Sequence, residues 1–253
     1  MTFAPGVSST ARSGLVFAIA GQALHVADRR VPEAACGDDD LFLGELDGAP
    51  CFARVGEPPA GSEPVPLRQL FGVLTDDEFA VAGRALGLIA WDLDHRYCGR
   101  CASPTARSAS ERARTCTSCG HTAYPRISPA IITLVERDGR ALLARNARTK
   151  MPFFSTLAGF VEVGETLEEC VAREVREEAG IEIADVRYFG SQPWPFTGSL
   201  MVGFTARWAS GELAPDPTEL ADAAWFAPGE LPTIPPKLSI ARALIDDFVQ
   251  RHR

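Results

Sequence analysis

A chain of 253 residues, 46% of them hydrophobic, has room for one large domain or two to three small ones and enough apolar material for a core. Its net charge of −8 and isoelectric point near 5.1 exclude a surface that coats nucleic acid generically. They do not exclude binding of a single nucleotide or RNA end, where a bound metal inverts the local charge.

Residues 1–93 read as a small α+β segment of short strands and turns. Gly14 to Gly21 is too short for a membrane span and reads as a strand turning at Gly21-Gln22 rather than as a signal peptide, so the expected location is cytoplasmic. Leu41 to Val55 predicts a hairpin around Asp47-Gly48, followed by a Pro/Gly/Glu-rich loop from Gly56 to Pro66. Thr75-Asp76-Asp77-Glu78 opens a helix that runs to about Asp94. No catalytic constellation lies in this segment.

Residues 94–124 hold Cys98-Gly-Arg-Cys101 and Cys116-Thr-Ser-Cys119, two C-x2-C pairs separated by fourteen residues. That spacing suits a closed tetrahedral Zn²⁺ ribbon, structural rather than catalytic. Nothing points to an oxidising compartment, which argues against disulfides. Cys36, Cys51 and Cys170 have no partner at ligand spacing and read as small hydrophobes.

From Pro125 strands return at Ala130–Glu136 and, after a turn at Asp138-Gly139, at Ala141–Ala144. Phe154 to Phe160 leads into a helix from Thr166 to Ala179, stopped by Gly180. Further strands are expected at Val186–Phe189, Leu200–Trp208 and Ala223–Phe226, and an amphipathic helix from Ser239 to Arg253.

The segment Gly159 to Glu182 concentrates the chemistry. Between Glu162 and Glu182 stand eight glutamates and only two arginines. A helix so charged repels itself unless cations bind there. Carboxylate oxygens are the ligands that Mg²⁺ shares with substrate phosphates. Glu174, Glu177 and Glu178 fall at helical spacing, and Glu174 and Glu178 flank the meridian of Leu167 and Val171, partly toward the apolar side. An ordinary solvated acidic face would also carry three glutamates. The glycine before them, the Arg173-Glu174 pair and the strand-loop-helix setting favour a metal–phosphate site.

The pattern Gly159, Glu165, Arg173-Glu174-Val175, Glu177-Glu178, Gly180-Ile181 resembles the signature of Nudix hydrolases without departure. The resemblance implies an α/β/α sandwich with a mixed sheet over residues 125–253, and hydrolysis of a nucleoside diphosphate derivative with Mg²⁺ or Mn²⁺. Downstream, Ser191-Gln192-Pro193-Trp194-Pro195-Phe196 and Ser199 are similar to the motif that marks NADH pyrophosphatases among Nudix proteins, departing at Thr197, where that group has proline. The two prolines around Trp194 predict an extended, rigid loop. Box, ribbon and motif together resemble the NADH/NAD pyrophosphatase subfamily over essentially the whole chain.

The resemblance implies that Glu174, Glu177, Glu178 and Glu219, with the Ala158 carbonyl, hold the divalent ions, and that Glu174 or Glu219 serves as base. It implies substrate contacts at Glu111, Tyr124, Phe160, Gln192, Pro193, Trp194, Pro195, Phe196, Ser199 and Ala241, with Tyr124 and Phe160 stacking a base. Glu165 and Arg173 read as a salt bridge that orients the helix. The implied reaction splits NAD(H) into nicotinamide mononucleotide and AMP, in a homodimer. Three alternatives stand beside it: removal of NAD caps from RNA 5′ ends by the same chemistry, hydrolysis of another derivative such as ADP-ribose, and an inactive zinc-ribbon protein that binds nucleic acid.

Overall fold

The computed structural model describes residues 2–148 and 152–252; Met1, Thr149–Met151 and Arg253, the expected last residue of the terminal helix, lie outside the described residues. The chain divides into two compact units. The first comprises residues 1–126 with the short stretch Pro195–Gly198, and the second comprises 127–194 and 199–253.

In the first unit seven strands form one sheet: β1 (Phe3–Pro5), β2 (Ser13–Ala20), β3 (Ala23–Val26), β4 (Glu33–Ala35), β5 (Leu41–Leu46), β6 (Ala49–Arg54) and β7 (Glu63–Pro66). Their order is β1-β5-β6-β2-β3-β7, with β4 on β2 and a parallel β2–β6 pair at the centre. Both expected hairpins form, β2–β3 around Gly21-Gln22 and β5–β6 around Asp47-Gly48. Helix α1 (Asp76–Asp94) begins in a capping box: Thr75 Oγ1 accepts from the Glu78 N–H at 3.2 Å, and the Glu78 carboxylate accepts from the Thr75 N–H at 2.9 Å. It buries Val81, Ala82, Ala85, Leu86, Ile89 and Trp91. Three short strands, β8 (Thr105–Arg107), β9 (Arg114–Cys116) and β10 (Thr122–Ala123), make the ribbon sheet.

The end of α1 is tied to that ribbon by charge. The buried Asp92 carboxylate accepts from Arg107 at 2.8 and 2.9 Å and from Arg114 at 2.6 Å. Burial pushes the Asp92 carboxyl up, but these two guanidinium groups outweigh it and hold the group below its ordinary range.

The second unit is the α/β/α sandwich. Its strands are β11 (Ser128–Arg137), β12 (Arg140–Asn146), β13 (Leu157–Phe160), β14 (Glu182–Trp194), β15 (Ser199–Ser210) and β16 (Leu220–Phe226); its helices are α2 (Leu167–Ala179) and α3 (Ile240–Arg251). The sheet order is β14-β15-β11-β12-β16, with β13 also on β11. Only β11 and β15 pair in parallel, so the sheet is mixed. Alternation along β11 sorts the two faces. Ile131 and Val135 pack toward Val171 and Val175 of α2, while Ile132 and Leu134 pack toward Leu244, Ile245 and Phe248 of α3. Each large side chain fully buried there contributes roughly 1.5–3 kcal/mol.

Two expectations are corrected. The last four residues of the expected Gly56–Pro66 loop form β7, an edge strand on β3 that its prolines do not prevent. The stretch through Trp194 is the end of a strand and not a loop: Gln192, Pro193 and Trp194 pair with Met201, Leu200 and Ser199. Pro193 is tolerated because β14 is the edge strand, where a missing N–H costs no ladder bond on the open side.

Candidate active site

Helix α2 is set by its ends. Thr166 caps it in a second capping box with Glu169, and Gly180 ends it in a left-handed conformation (φ 73°) with its N–H on the Arg176 carbonyl. Between these ends the box residues are held from one arginine. Arg173 donates to Glu165 at 2.7 and 2.9 Å, to Glu174 at 2.8 Å, to Glu177 at 3.0 Å and to the Phe160 carbonyl at 2.9 Å. The expected Glu165–Arg173 pair therefore exists as part of a larger hub. Arg173, with the Glu162 N–H at 3.0 Å, holds the Glu165 carboxyl at about 2.

Strand β13 closes on the helix from the sheet side. Gly159 lies so near Glu174 that an added Cβ would stand 1.9 Å from the Glu174 carboxyl carbon. The residue before it, Ala158, is exposed on the same strand.

The three helix glutamates do not share one environment. Glu177 is exposed and paired with Arg173. Glu174 is largely buried, and burial pushes its carboxyl up against the opposing pull of Arg173. Glu178 is only 7% exposed. Burial first, then the charges of Glu174, Glu219 and Glu177, push its carboxyl up to about 8. Among the described residues nothing hydrogen-bonds the Glu178 carboxylate. A half-buried cluster of hard oxygen donors with surplus negative charge fits a divalent cation.

Glu219 reaches the cluster by backbone tethering. The N–H groups of Ala214 and Asp216 donate to the Ala179 and Glu178 carbonyls at 2.9 Å each, anchoring the segment before β16 to the end of α2. Arg148, which the sequence reading did not single out, holds the Glu219 carboxylate at 2.5 Å. No spacing rule marks an arginine in a turn whose partner is 71 positions away.

The four ribbon cysteines also meet. Their sulfurs all lie within 4.8 Å of one another, with Cys98–Cys119 at 3.8 Å and Cys101 at 3.5 Å from both Cys116 and Cys119. A Zn–S bond of about 2.3 Å implies tetrahedral edges of about 3.8 Å. The Cys98 and Cys116 sulfurs accept backbone N–H groups at 3.4 Å, and those of Cys119 and Ser118 lower the Cys116 thiol, favouring the ligating thiolate. The donor set fits a structural zinc.

The NUDIX domain model matches residues 125–248, the NADH pyrophosphatase zinc ribbon domain matches 93–124, and the NADH pyrophosphatase-like rudimentary NUDIX domain matches 11–91. The chain is 46% identical over 217 residues to a Deinococcus radiodurans protein named NAD-capped RNA hydrolase NudC, covering 83% of this chain and 78% of that protein. The chain belongs to the Nudix hydrolase family, in its NADH pyrophosphatase subfamily. A Stutzerimonas stutzeri protein of the same name is 46% identical over 212 residues, 83% of this chain and 77% of that protein. The sandwich fold is shared with a crystal structure of a NUDIX hydrolase from Nitrosomonas europaea, with TM-score 0.54 and 20% identity over 62% of this chain and 91% of that one.

Strand register sets Phe160, Ala130, Met201 and Gln192 in one row across the sheet, with Ser128, Ser199 and Trp194 in a row two residues along. Alternation puts these side chains on the α3 face, opposite Gly159 and Glu174. Phe160 is 56% exposed there, Trp194 is half-buried, Pro193 is exposed, and Ser199 is buried. Ala241 is buried in the α3 core, so a ligand would meet its backbone rather than its methyl group. Gln192 spends its amide on the protein: Nε2 donates to the Leu238 carbonyl and Oε1 accepts from the Ile240 N–H, each at 2.8 Å.

In the first unit Tyr124 is 55% exposed and its hydroxyl donates to the Glu111 carboxylate at 3.2 Å. Phe196 is buried under the Arg68 guanidinium (4.3 Å to the ring centroid), and its carbonyl accepts from Gln22 at 3.2 Å. Pro195 packs on α1, where an added Cβ at Gly83 would stand 3.1 Å from its ring.

Proposed function

We propose that this chain hydrolyses the pyrophosphate bond of NAD(H), giving nicotinamide mononucleotide and AMP. The observation that carries the reading is Glu178: a buried carboxylate without a hydrogen-bond partner among the described residues, set among Glu174, Glu177 and Glu219. The choice of substrate rests on the matched NADH pyrophosphatase ribbon and on the Ser191–Ser199 motif.

Glu174, Glu177, Glu178 and Glu219, with the Ala158 carbonyl, hold Mg²⁺ or Mn²⁺. When bound, the ions neutralise pyrophosphate charge and acidify water. Glu174 or Glu219 takes the proton of the attacking water as its oxygen bonds to phosphorus and the anhydride P–O bond breaks. Arg173 keeps Glu174 and Glu177 aimed, and Gly159 leaves the space that Glu174 fills. Phe160 and Trp194 offer ring faces to a nucleotide base, and Tyr124 with Glu111 offers a ring and a carboxylate. Cys98, Cys101, Cys116 and Cys119 hold Zn²⁺ for structure.

The functional segments are taken as 1–93, 94–124 and 125–253, a division the matched domain spans support. The working assembly is a homodimer, and light scattering that finds an active monomer overturns it. The proposed location is cytoplasmic. No helix among the described residues is long and apolar enough to cross a membrane.

A second reading, removal of NAD caps from RNA, is favoured by the printed name of the relatives. A hydrolysis panel of NAD, NADH, ADP-ribose, diadenosine polyphosphates and NAD-capped RNA, with products identified, separates the readings. Undiminished turnover by Glu178→Gln, or activity that survives full removal of divalent ions, overturns the metal-site assignment.

A further inference from the structure

We propose that Gln192 is a positioning residue: it fixes the first turn of α3 and thereby shapes the sheet face on which Phe160 and Trp194 stand. The proposal rests on the NAD(H) reading of that face.

Four contacts lock this turn. The Ile240 N–H is one of the N-terminal helix donors that lack an intrahelical acceptor, and Gln192 Oε1 satisfies it at 2.8 Å. Gln192 Nε2 holds the preceding segment through the Leu238 carbonyl, also at 2.8 Å. From the other side Ile240 rests on paired Gly190 and Gly203: an added Cβ at Gly203 would stand 2.8 Å from Ile240 Cδ1 and 3.2 Å from the Gly190 carbonyl oxygen. Ser239 Oγ caps a further donor of the first turn, the Arg242 N–H, at 3.4 Å.

The register shows why this matters for the site. The row Ala158, Ile132, Gly203, Gly190 is the one Ile240 covers. The next row on that face is Phe160, Ala130, Met201, Gln192, and the one after ends at Trp194. The first turn of α3 therefore borders the row bearing Phe160: Ala130 in that row is buried and Met201 still packs on the α3 core, while the Phe160 end is exposed. Gln192 stands in that row with its oxygen turned to the first N–H of α3 and its nitrogen to the Leu238 carbonyl just before the helix. Its identity within the motif is thus explained by the wall it holds rather than by a bond to ligand.

The test uses the full-length zinc- and magnesium-loaded protein and three variants. Gln192→Leu removes both bonds, Gln192→Glu keeps the acceptor for the Ile240 N–H, and Gly203→Ala pushes Ile240 from the opposite side at the flexible end of its side chain. The readouts are kcat and KM for NADH and for ADP-ribose, which lacks the nicotinamide, and amide hydrogen exchange over residues 239–243. Expected for Gln192→Leu is an about tenfold fall in the NADH preference, carried mainly by KM, with faster exchange in the α3 turn. Gly203→Ala moves both readouts the same way, Gln192→Glu recovers part of each, and the Leu/Ala double variant is no worse than the stronger single. A changed preference with wild-type exchange and a silent Gly203→Ala means direct ligand contact and overturns the proposal. Faster exchange with unchanged preference leaves only a stability role and overturns it too. Wild-type protein inactive on both nucleotides overturns the NAD(H) reading instead; the clamp is then judged by exchange alone, where wild-type protection in Gln192→Leu refutes it.

Discussion

Gly159 is a glycine because Glu174 occupies the place of its side chain. An added Cβ would fall 1.9 Å from the carboxyl carbon and 2.1 and 2.2 Å from its two oxygens. The strand and the helix thus touch through a backbone carbon and a carboxylate, and the aim of Glu174 is set from below by β13 and from the side by Arg173. Gly159→Ala is expected to keep the fold, since a carboxylate can swing where a backbone cannot. Activity at saturating Mg²⁺ should nevertheless fall about 10²-fold, the cost of misplacing a reacting group by about 1 Å. Steady-state kinetics beside a thermal melt checks this; a variant with full activity and an unchanged melt removes the reason given for the glycine.

Glu178 carries the opposite tension, an ionisable group whose charge the fold does not compensate, so that the metal-free fold keeps it protonated at neutral pH. Glu178→Gln removes that ionisable group while keeping shape. The metal-free variant should be more stable than the metal-free wild type, where a gain of about 1 kcal/mol corresponds to roughly 2–4 °C in Tm. Hydrolysis should drop at least about 10²-fold with Mg²⁺ present. Melting both proteins with and without Mg²⁺ gives the check: the Mg²⁺-induced rise in Tm should shrink in the variant.

The same carboxylate makes metal-free stability depend on pH in a definite direction. Glu178 titrates at about 8 in the fold against 4.5 for an ordinary glutamate. Between those values the folded chain keeps a proton that the unfolded chain releases, so raising the pH across this window lowers stability, and the loss is complete above it. Glu174, also raised, acts in the same sense. Glu165 and Asp92 are lowered, so their contributions are whole above the ordinary carboxylate range and decline only in acid. Denaturant midpoints of EDTA-treated protein from pH 5 to 9 should therefore fall with pH, and Mg²⁺ should flatten the curve. A flat metal-free curve contradicts a protonated, buried Glu178.

Much of this was legible in the chain because the relevant signals are local. The capping boxes at Thr75 and Thr166, the stop at Gly180 and the turn at Asp138-Gly139 are each written within four residues of where they act. The C-x2-C pairs and the spacing of Glu174, Glu177 and Glu178 likewise announce chemistry at short range. What the sequence could not show is long-range and depends on backbone. The approach of Gly159 to Glu174, the Arg148–Glu219 pair and the hold of Gln192 on Leu238 and Ile240 span 15 to 71 positions with no periodicity to mark them. The prolines around Trp194 read as loop in the sequence, whereas an edge strand tolerates them.

In the first unit the ribbon and α1 should lose stability together. The ribbon sheet has strands of only three, three and two residues, too short to persist without its metal, whose binding contributes about 10–16 kcal/mol in comparable small sites. Another anchor is Asp92, which joins α1 to β8 through Arg107 and to β9 through Arg114. Asp92→Asn leaves Arg114 buried without its carboxylate, a change that typically costs about 3–5 kcal/mol. Stripping zinc should loosen the strands that carry both arginines and expose Asp92, so the two perturbations act on one structure and should be less than additive. Limited proteolysis should show new cleavage between residues 96 and 124 after chelation, and the same sites, more weakly, in zinc-loaded Asp92→Asn. If chelated protein resists proteolysis there as well as the loaded form does, the four cysteines hold no structural metal.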